Sequence, residues 1–222
     1  MRRVPQFEFL DQDLGTSDEI ASALSDLRHI NAWFGGVATT TSLLRNAMHQ
    51  AGLTSATVLE VASADGFCVR QAARNLASDG LQLRLTLLDR QPSRFHSTNG
   101  IRTVLGDALQ TSFEDSAFDF VSCGLFVHHL APDAVVNFVS EALRVCRHAV
   151  LINDLRRSTM HLALVYLGLP LFRSRLTWHD APASVRQAYE SSELSGLLKK
   201  TSAKRFEIQN RYLYRLAATA WK

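Results

Sequence analysis

Short apolar runs alternate with helix-forming stretches through the middle of this chain of 222 residues. The clearest unit is the segment VLEVASADG (residues 58–66), in which an apolar run meets an acid and opens through small residues into helix-forming sequence. An order of strand, tight turn and helix brings a ligand against bare backbone at a helix N-terminus. Apolar strands that alternate with helices favour a mostly parallel sheet with helices on both faces. We therefore predict an α/β fold.

The hydrophobic pattern predicts six helices and seven strands. A capping box formed by Thr16 and Glu19 places the start of the first helix at Ser17. The helices are expected from residue 17 to near Gly35, at 41–50, 67–76, 131–145 and 155–169, and from Ser191 or Ser192 to residue 199. The strands are expected at 56–61, 81–88, 100–105, 117–123, 149–153, 206–211 and 212–221. Pro170 and Pro182 are expected to bracket an irregular segment.

The length suits a single domain with a complete core. Within it we distinguish an N-terminal helical lid (1–52), a ligand-binding core (53–154) and a substrate-side cover with the closing strands (155–222).

Composition narrows the classes of partner. The net charge of +3 is small and the 24 lysines and arginines are dispersed, which argues against a nucleic-acid partner. Three widely spaced cysteines in no metal-binding pattern predict no metal site and favour a reducing cytoplasm. The longest apolar stretch, 162–172, is shorter than the roughly 20 residues that span a bilayer. We therefore expect a cytoplasmic protein with a small-molecule partner and no stable membrane insertion.

Acidic residues end several of the predicted strands. Ligands of open α/β sheets bind beyond the carboxyl ends of the strands, so these side chains should meet at one edge. Asp89 lies 23 positions beyond Gly66 and can accept hydrogen bonds from both hydroxyls of a ribose. Asp107 can accept from an adenine amino group, and Glu60 suits a ligand that carries an ammonium group. The fourth and fifth strands end at Cys123-Gly124 and Asp154.

Taken in order, the segments VLEVASADG, LTLLDRQPS, VLGDAL and FDFVSCGLFVHHL, with FEIQNR and YLYRLAATAW at the end, form one pattern. The pattern resembles the class I S-adenosylmethionine-dependent methyltransferases, closest in style to their small-molecule and quinone-type branch. The resemblance covers residues 56–154 and the closing strands. It implies a Rossmann-like sheet of seven strands with an antiparallel C-terminal pair, and S-adenosylmethionine as the cofactor.

The resemblance also assigns residues to parts of that cofactor. It implies that Glu60, Ala62 and Gly66 contact the methionine portion, that Asp89 and Arg90 hold the ribose, that Asp107 and Ala108 flank the adenine, and that Cys123 and Gly124 lie near the sulfonium. The family has glycine where this chain has Ala62 and Ala64. Alanine suits these positions if φ stays negative, although its methyl group narrows the approach to the backbone.

Two histidines follow the fourth strand and are expected to face the acceptor. Histidine titrates near neutrality, so His128 or His129 could take a proton from an acceptor, while the alternative for each is packing at a helix start. Asp154 could accept a substrate proton or orient a histidine. The candidates for substrate contact, each with a surface or packing role as the alternative, are Trp33, Arg157, His161 and His179.

Residues 162–172 are apolar on every side, which favours a cover over a lipophilic acceptor, with a homodimer interface as the alternative. We expect an aromatic or lipophilic acceptor such as a phenol, polyketide or quinone precursor of secondary metabolism, methylated on oxygen rather than carbon. Two other functions stay open at this point. One is a nicotinamide-dependent reductase, and the other is a non-catalytic binding protein with the methyltransferase fold.

Overall fold

The computed structural model describes residues 1–92 and 101–222. In these residues seven strands form one sheet: β1 (Ser55–Val61), β2 (Gln82–Asp89), β3 (Arg102–Leu105), β4 (Phe118–Gly124), β5 (Cys146–Leu155), β6 (Arg205–Arg211) and β7 (Arg215–Trp221). The strand order is β3-β2-β1-β4-β5-β7-β6, and β7 runs antiparallel to both of its neighbours. The expected mostly parallel sheet with an antiparallel C-terminal pair is confirmed.

Seven α-helices accompany the sheet in the same described ranges: α1 (Ser17–Trp33), α2 (Gly36–Ala51), α3 (Phe67–Ser78), α4 (Pro132–Val145), α5 (Thr159–Gly168), α6 (Arg175–Gln187) and α7 (Ser191–Leu198). Apolar residues of α2 and α3 form a core on one face of the sheet, and those of α4 and α7 form a core on the other. The capping box of Thr16 and Glu19 starts α1 as predicted.

Three element predictions are wrong in part. Residues 175–187 form α6 rather than an irregular segment, with Pro182 buried inside the helix. Proline in a helix interior removes one backbone hydrogen bond, and burial of the α6 face that packs on α1 compensates for it. The second helix begins at Gly36 rather than residue 41, because its buried threonines pack against the sheet despite their low helix propensity. Glu190, not a serine, caps α7.

The predicted start of the third strand at residue 100 lies outside the described residues. Among the residues that are described, no helix combines the length and apolar character needed to cross a membrane.

Candidate active site

A cavity of about 580 Å³ opens at the carboxyl edge of the sheet in the described part of the chain. The ends of β1, β2 and β4 and the loop between β1 and α3 form its floor. Its other walls come from α1, α5, α6 and residues 1–14, which we call the N-terminal segment. The sequence-predicted site residues that line it are Glu60, Ala62, Gly66, Asp89, Arg90, Asp107, Ala108, Gly124, His128, His129 and His161.

Glu60 is the buried acid of the cavity floor, with only 4% of its surface exposed. It lies beside Gly124, where a methyl group added to the glycine would be 3.7 Å from Glu60 Oε1. Its second oxygen, Oε2, has no hydrogen-bond partner. Burial raises the pKa of Glu60 to about 7, although a hydrogen bond with Ser122 opposes the rise. A buried carboxylate oxygen without a partner is costly, so it suits a ligand that brings a cation or a donor.

The loop after β1 has the backbone shape of a glycine-rich loop although it carries alanines. Ala62 and Ala64 have φ values of 49° and 46°, so φ does not stay negative at either position. Gly66 has φ 67°, and a methyl group there would be 2.7 Å from Leu87 Cδ1. The loop thus accepts the backbone strain of a left-handed conformation at Ala62 and Ala64. At Gly66 a side chain would add a steric clash to that strain, which favours glycine.

Asp89 both lines the cavity and supports this loop. Its Oδ2 accepts a hydrogen bond from the Ala64 amide at 2.8 Å, and its Oδ1 accepts from the Gln91 amide at 3.0 Å. Asp107 accepts from the Leu109 amide at 2.8 Å and lies on the same side of the cavity. Cys123 is the exception among the predicted cofactor residues, because its side chain is buried in the core between the sheet and α4 and does not line the cavity.

His128, which lines the cavity, forms a buried pair with Asp154. His128 Nδ1 lies 2.6 Å from Asp154 Oδ1, and the His128 amide donates to Oδ2 of the same carboxylate at 3.0 Å. Burial alone would lower the pKa of His128, but the charge of Asp154 and its hydrogen bond with the ring, together with the nearby carboxylate of Glu8, raise it to about 10.

Glu8 and Asp11, in the N-terminal segment, were missed by the sequence reasoning. Glu8 Oε1 lies 3.4 Å from His128 Nε2 and accepts a hydrogen bond from Gln187 Nε2 at 2.7 Å. Asp11 Oδ2 lies 2.9 Å from His129 Nδ1. The segment resembles an extended lead-in, and no local spacing links it to histidines more than a hundred residues away.

Arg215, the first residue of β7, was also missed. It lines the cavity, yet only 1% of its surface is exposed. Its Nη2 donates to Asn31 Oδ1 at 2.9 Å and its Nε to the Phe34 carbonyl oxygen at 3.3 Å, while Nη1 has no partner. A buried guanidinium with an unused donor suits an anionic ligand group.

Three of the residues predicted to contact substrate do not line the cavity. Trp33 is 62% exposed, and the next aromatic residue, Phe34, faces the cavity in its place. Arg157 is instead a structural clamp, because its guanidinium binds Glu193 at 2.7 Å and the Ala188 carbonyl oxygen at 2.6 Å. His179 stacks on Phe9 outside the cavity, with ring centroids 3.8 Å apart.

Residues 58–149 match the sequence profile of a family described as "Methyltransferase domain". This match supports S-adenosylmethionine as the cofactor and an enzyme of the methyltransferase class rather than a reductase. Among curated proteins, none matches this sequence.

Several solved structures share the fold. The plantazolicin methyltransferase BpumL in complex with S-adenosylhomocysteine is 15% identical, with a TM-score of 0.70 over 96% of this chain and 93% of that one. A protein from Methanococcus maripaludis, assigned as an S-adenosyl-L-methionine-dependent methyltransferase, is 13% identical, with a TM-score of 0.63 over 99% and 96% of the two chains. One from Nostoc punctiforme, assigned as an O-methyltransferase, is 11% identical, with a TM-score of 0.54 over 82% and 55%.

The predicted resemblance is thus confirmed at the level of fold and domain, while the small-molecule branch stays a prediction. Residues 58–149 of this chain match the profile of a methyltransferase domain, and the described residues adopt the fold of the class I S-adenosylmethionine-dependent methyltransferases.

Proposed function

We propose that this protein transfers a methyl group from S-adenosylmethionine to an oxygen atom of a small aromatic or lipophilic acceptor. The observation that carries the proposal is one continuous cavity. Its lining includes both the carboxylates expected to bind the cofactor and a cluster of histidines and acids formed by Glu8, Asp11, His128 and His129. Donor and acceptor bound in such a cavity would be held close enough for direct transfer, which can supply about 7–11 kcal/mol of the barrier.

The floor of the cavity suits each part of the cofactor. The unpaired Oε2 of Glu60 would accept from the methionine ammonium group, and the unpaired Nη1 of Arg215 would donate to the methionine carboxylate. Asp89, with Arg90 beside it, would hold the ribose hydroxyls. Asp107 and Ala108 would flank the adenine, and Gly124 would leave room near the sulfonium.

The opposite end of the cavity would bind the acceptor. Apolar side chains of α1, α5 and α6 wall this region: Leu24, Leu27, Ile30, Leu164, Val165 and Val185. Apolar walls match an aromatic or lipid-like acceptor. His161 lines the same region, and burial lowers its pKa, which keeps the ring neutral beside such a ligand.

In the reaction the acceptor oxygen forms a bond to the methyl carbon while the bond between that carbon and the sulfonium sulfur breaks. S-adenosylhomocysteine would leave, and the hydroxyl proton of the acceptor would pass to Glu8, Asp11 or His129. Asp154 would hold the His128 ring in its orientation beside the acceptor. A water-poor pocket favours the step because opposite charges disappear in the transition state.

Part of α5 faces away from the cavity. Met160 and Leu167 on α5, and Leu171 just beyond its end, are 59%, 77% and 68% exposed, which suits the homodimer interface expected as an alternative role. The same helix places Leu164 and Val165 on the cavity wall, so both roles are compatible.

Mass spectrometry tests the proposed function. Small molecules released from the purified protein by denaturation are identified, and these compounds and a panel of phenols are incubated with S-adenosylmethionine that carries a deuterated methyl group. We expect a product with the labelled methyl on oxygen, together with S-adenosylhomocysteine. Label on a carbon atom would contradict O-methylation, and failure to bind S-adenosylmethionine would contradict the function as a whole.

A further inference from the structure

Three side chains with metal-ligating atoms converge at the acceptor end of the cavity. They are Glu8, His128 and His129, and their ligand atoms all lie within 4.8 Å of one another. Two histidines and one carboxylate are a recurrent donor set for divalent transition metals in proteins. Methyl transfer does not by itself require a metal ion, so a metal site at this cluster would be a feature additional to the proposed function.

The distances in the cluster fit a shared ligand better than a direct hydrogen bond. Glu8 Oε1 lies 3.4 Å from His128 Nε2 and 3.8 Å from His129 Nδ1. A hydrogen bond between nitrogen and oxygen would span roughly 2.7–3.2 Å. Two ligand atoms that are each about 2.1 Å from a tetrahedral metal ion lie about 3.4 Å apart. The pair of Glu8 and His128 is therefore spaced as two ligands of one ion would be.

His128 also has a buried ring nitrogen that is available to a ligand. Only 2% of His128 is exposed, and Nε2 has no hydrogen-bond partner although it points at Glu8. The other ring nitrogen, Nδ1, is bonded to Asp154 at 2.6 Å. A carboxylate on the far nitrogen is the usual support of a metal-binding histidine, because it fixes the ring and leaves the near nitrogen to the metal.

The carboxylate of Glu8 is held in place as well. Its Oε1 accepts hydrogen bonds from Ser184 Oγ at 2.5 Å and from Gln187 Nε2 at 2.7 Å, and these bonds fix the carboxylate beside the two histidines. Asp11, whose Oδ2 lies 2.9 Å from His129 Nδ1, brings a further oxygen to the same place. Supported ligands of this kind are typical of a preformed metal site.

We propose that Glu8, His128 and His129 bind one divalent transition-metal ion, with Zn²⁺ or Fe²⁺ as the matching chemistry. The ion would occupy the acceptor end of the cavity. There it would lower the pKa of a bound hydroxyl group and so generate the oxygen nucleophile.

Metal titration of the purified full chain tests this site without any cofactor or acceptor. The affinity tag is removed, the protein is stripped with a chelator, and Zn²⁺ is titrated by calorimetry. Co²⁺, a spectroscopic substitute for Zn²⁺, is titrated in parallel by visible absorption. We expect one ion per chain in the wild type, and an affinity lowered roughly 10- to 100-fold in His129→Ala and in Glu8→Gln.

The variant His49→Ala is the matched control, because His49 is exposed at the end of α2, away from the cavity. Circular dichroism checks that each variant folds. Failure of the wild type to bind either ion would overturn the proposal, and so would equal affinity in wild type, His129→Ala and Glu8→Gln. The cluster would then hold a proton rather than a metal. Neither result depends on methyl transfer, so the site and the proposed function can fail separately.

Discussion

The most informative single residue is Glu60, because its buried carboxylate has an oxygen with no partner in the protein. A folded protein seldom keeps such a group unless a ligand uses it. The loop after β1 and Asp89 line the same cavity as Glu60 and are bonded to each other. Glu60 is therefore part of a binding site.

Replacement of Glu60 by glutamine should stabilise the protein in the absence of ligand at pH 8. Its pKa is raised from 4.5 to about 7, so the folded chain buries a carboxylate above pH 7 and a neutral acid below it. The stability that this group contributes in its protonated form is therefore lost as the pH rises from 4.5 through 7. The rise in the pKa of Glu60 corresponds to a loss of about 3 kcal/mol in the free energy of unfolding. Thermal denaturation of wild type and Glu60→Gln at pH 8 and pH 5 measures the effect.

The gain should be present at pH 8 and nearly absent at pH 5. Glu207→Gln serves as the control, because Glu207 is exposed on β6 and should show no such pH dependence. A Glu60→Gln variant that is less stable than wild type at pH 8 would mean that the buried carboxylate is stabilised within the protein by more than its hydrogen bond with Ser122.

At the scale of elements, the loop between β1 and α3 explains how a chain with alanines keeps a glycine-type shape. The Ala64 amide is tied to Asp89, and the Ser63 amide donates to the Leu88 carbonyl oxygen at 3.2 Å. These bonds hold the left-handed residues in place. A sequence pattern predicts that alanine disrupts this loop shape, because the pattern does not include the hydrogen bonds from the Ser63 and Ala64 amides that stabilise it.

Ala62→Gly should stabilise the protein slightly, whereas Gly66→Ala should destabilise it. An alanine in the left-handed conformation costs roughly 1–2 kcal/mol, and glycine removes this strain. Glycine also makes the unfolded chain more flexible, which opposes folding, so the net gain is smaller than the strain that is removed. Alanine at position 66 adds both this strain and a clash with Leu87. The urea midpoints of the two variants should therefore move in opposite directions. A shift of both midpoints in the same direction would contradict the described loop.

The N-terminal segment is the second element on which the site depends, and Arg3 anchors it. Arg3 Nε donates to the Gln187 carbonyl oxygen at 2.6 Å, and Nη2 donates to the carbonyl oxygens of His128 and Leu130, each at 2.9 Å. Its guanidinium also lies over the ring of Tyr189. These contacts hold the N-terminal segment in the position that places Glu8 beside His128 and His129.

Arg3→Ala should release the segment while the sheet stays folded. Hydrogen exchange followed by mass spectrometry should show faster exchange in residues 4–12, because the segment loses its anchor, with unchanged protection in β1 and β4. Arg2→Ala is the control, since Arg2 is exposed. Equal exchange in the two variants would show that Arg3 does not hold the segment.

At the scale of the whole molecule, the sequence predicts the cofactor half of the cavity more completely than the acceptor half. The carboxyl ends of parallel strands must meet at one edge, so the strand pattern alone is enough to bring Glu60, Asp89 and Asp107 together. The acceptor half depends on contacts between distant segments. Glu8 Oε1 lies 3.4 Å from His128 Nε2, far along the chain, and no local pattern predicts such a pair.

The same limit explains the errors among predicted substrate residues. Arg157 and His179 lie close in sequence to cavity residues, but nearness along the chain does not fix the direction of a side chain. Arg157 points to the acids of α7, and His179 points to Phe9. Most residues predicted from strand ends line the cavity because the fold imposes that geometry, whereas three of the four predicted substrate residues do not line it.

Calorimetric titration with S-adenosylhomocysteine tests the central claim that this cavity binds the methyl donor. We expect one site per chain in the wild type and an affinity at least about tenfold lower in Asp89→Ala, a loss of about 1.4 kcal/mol. Asp133→Ala, at an exposed position on α4, should bind like the wild type. No binding by the wild type, or equal affinity in Asp89→Ala, would contradict the claim.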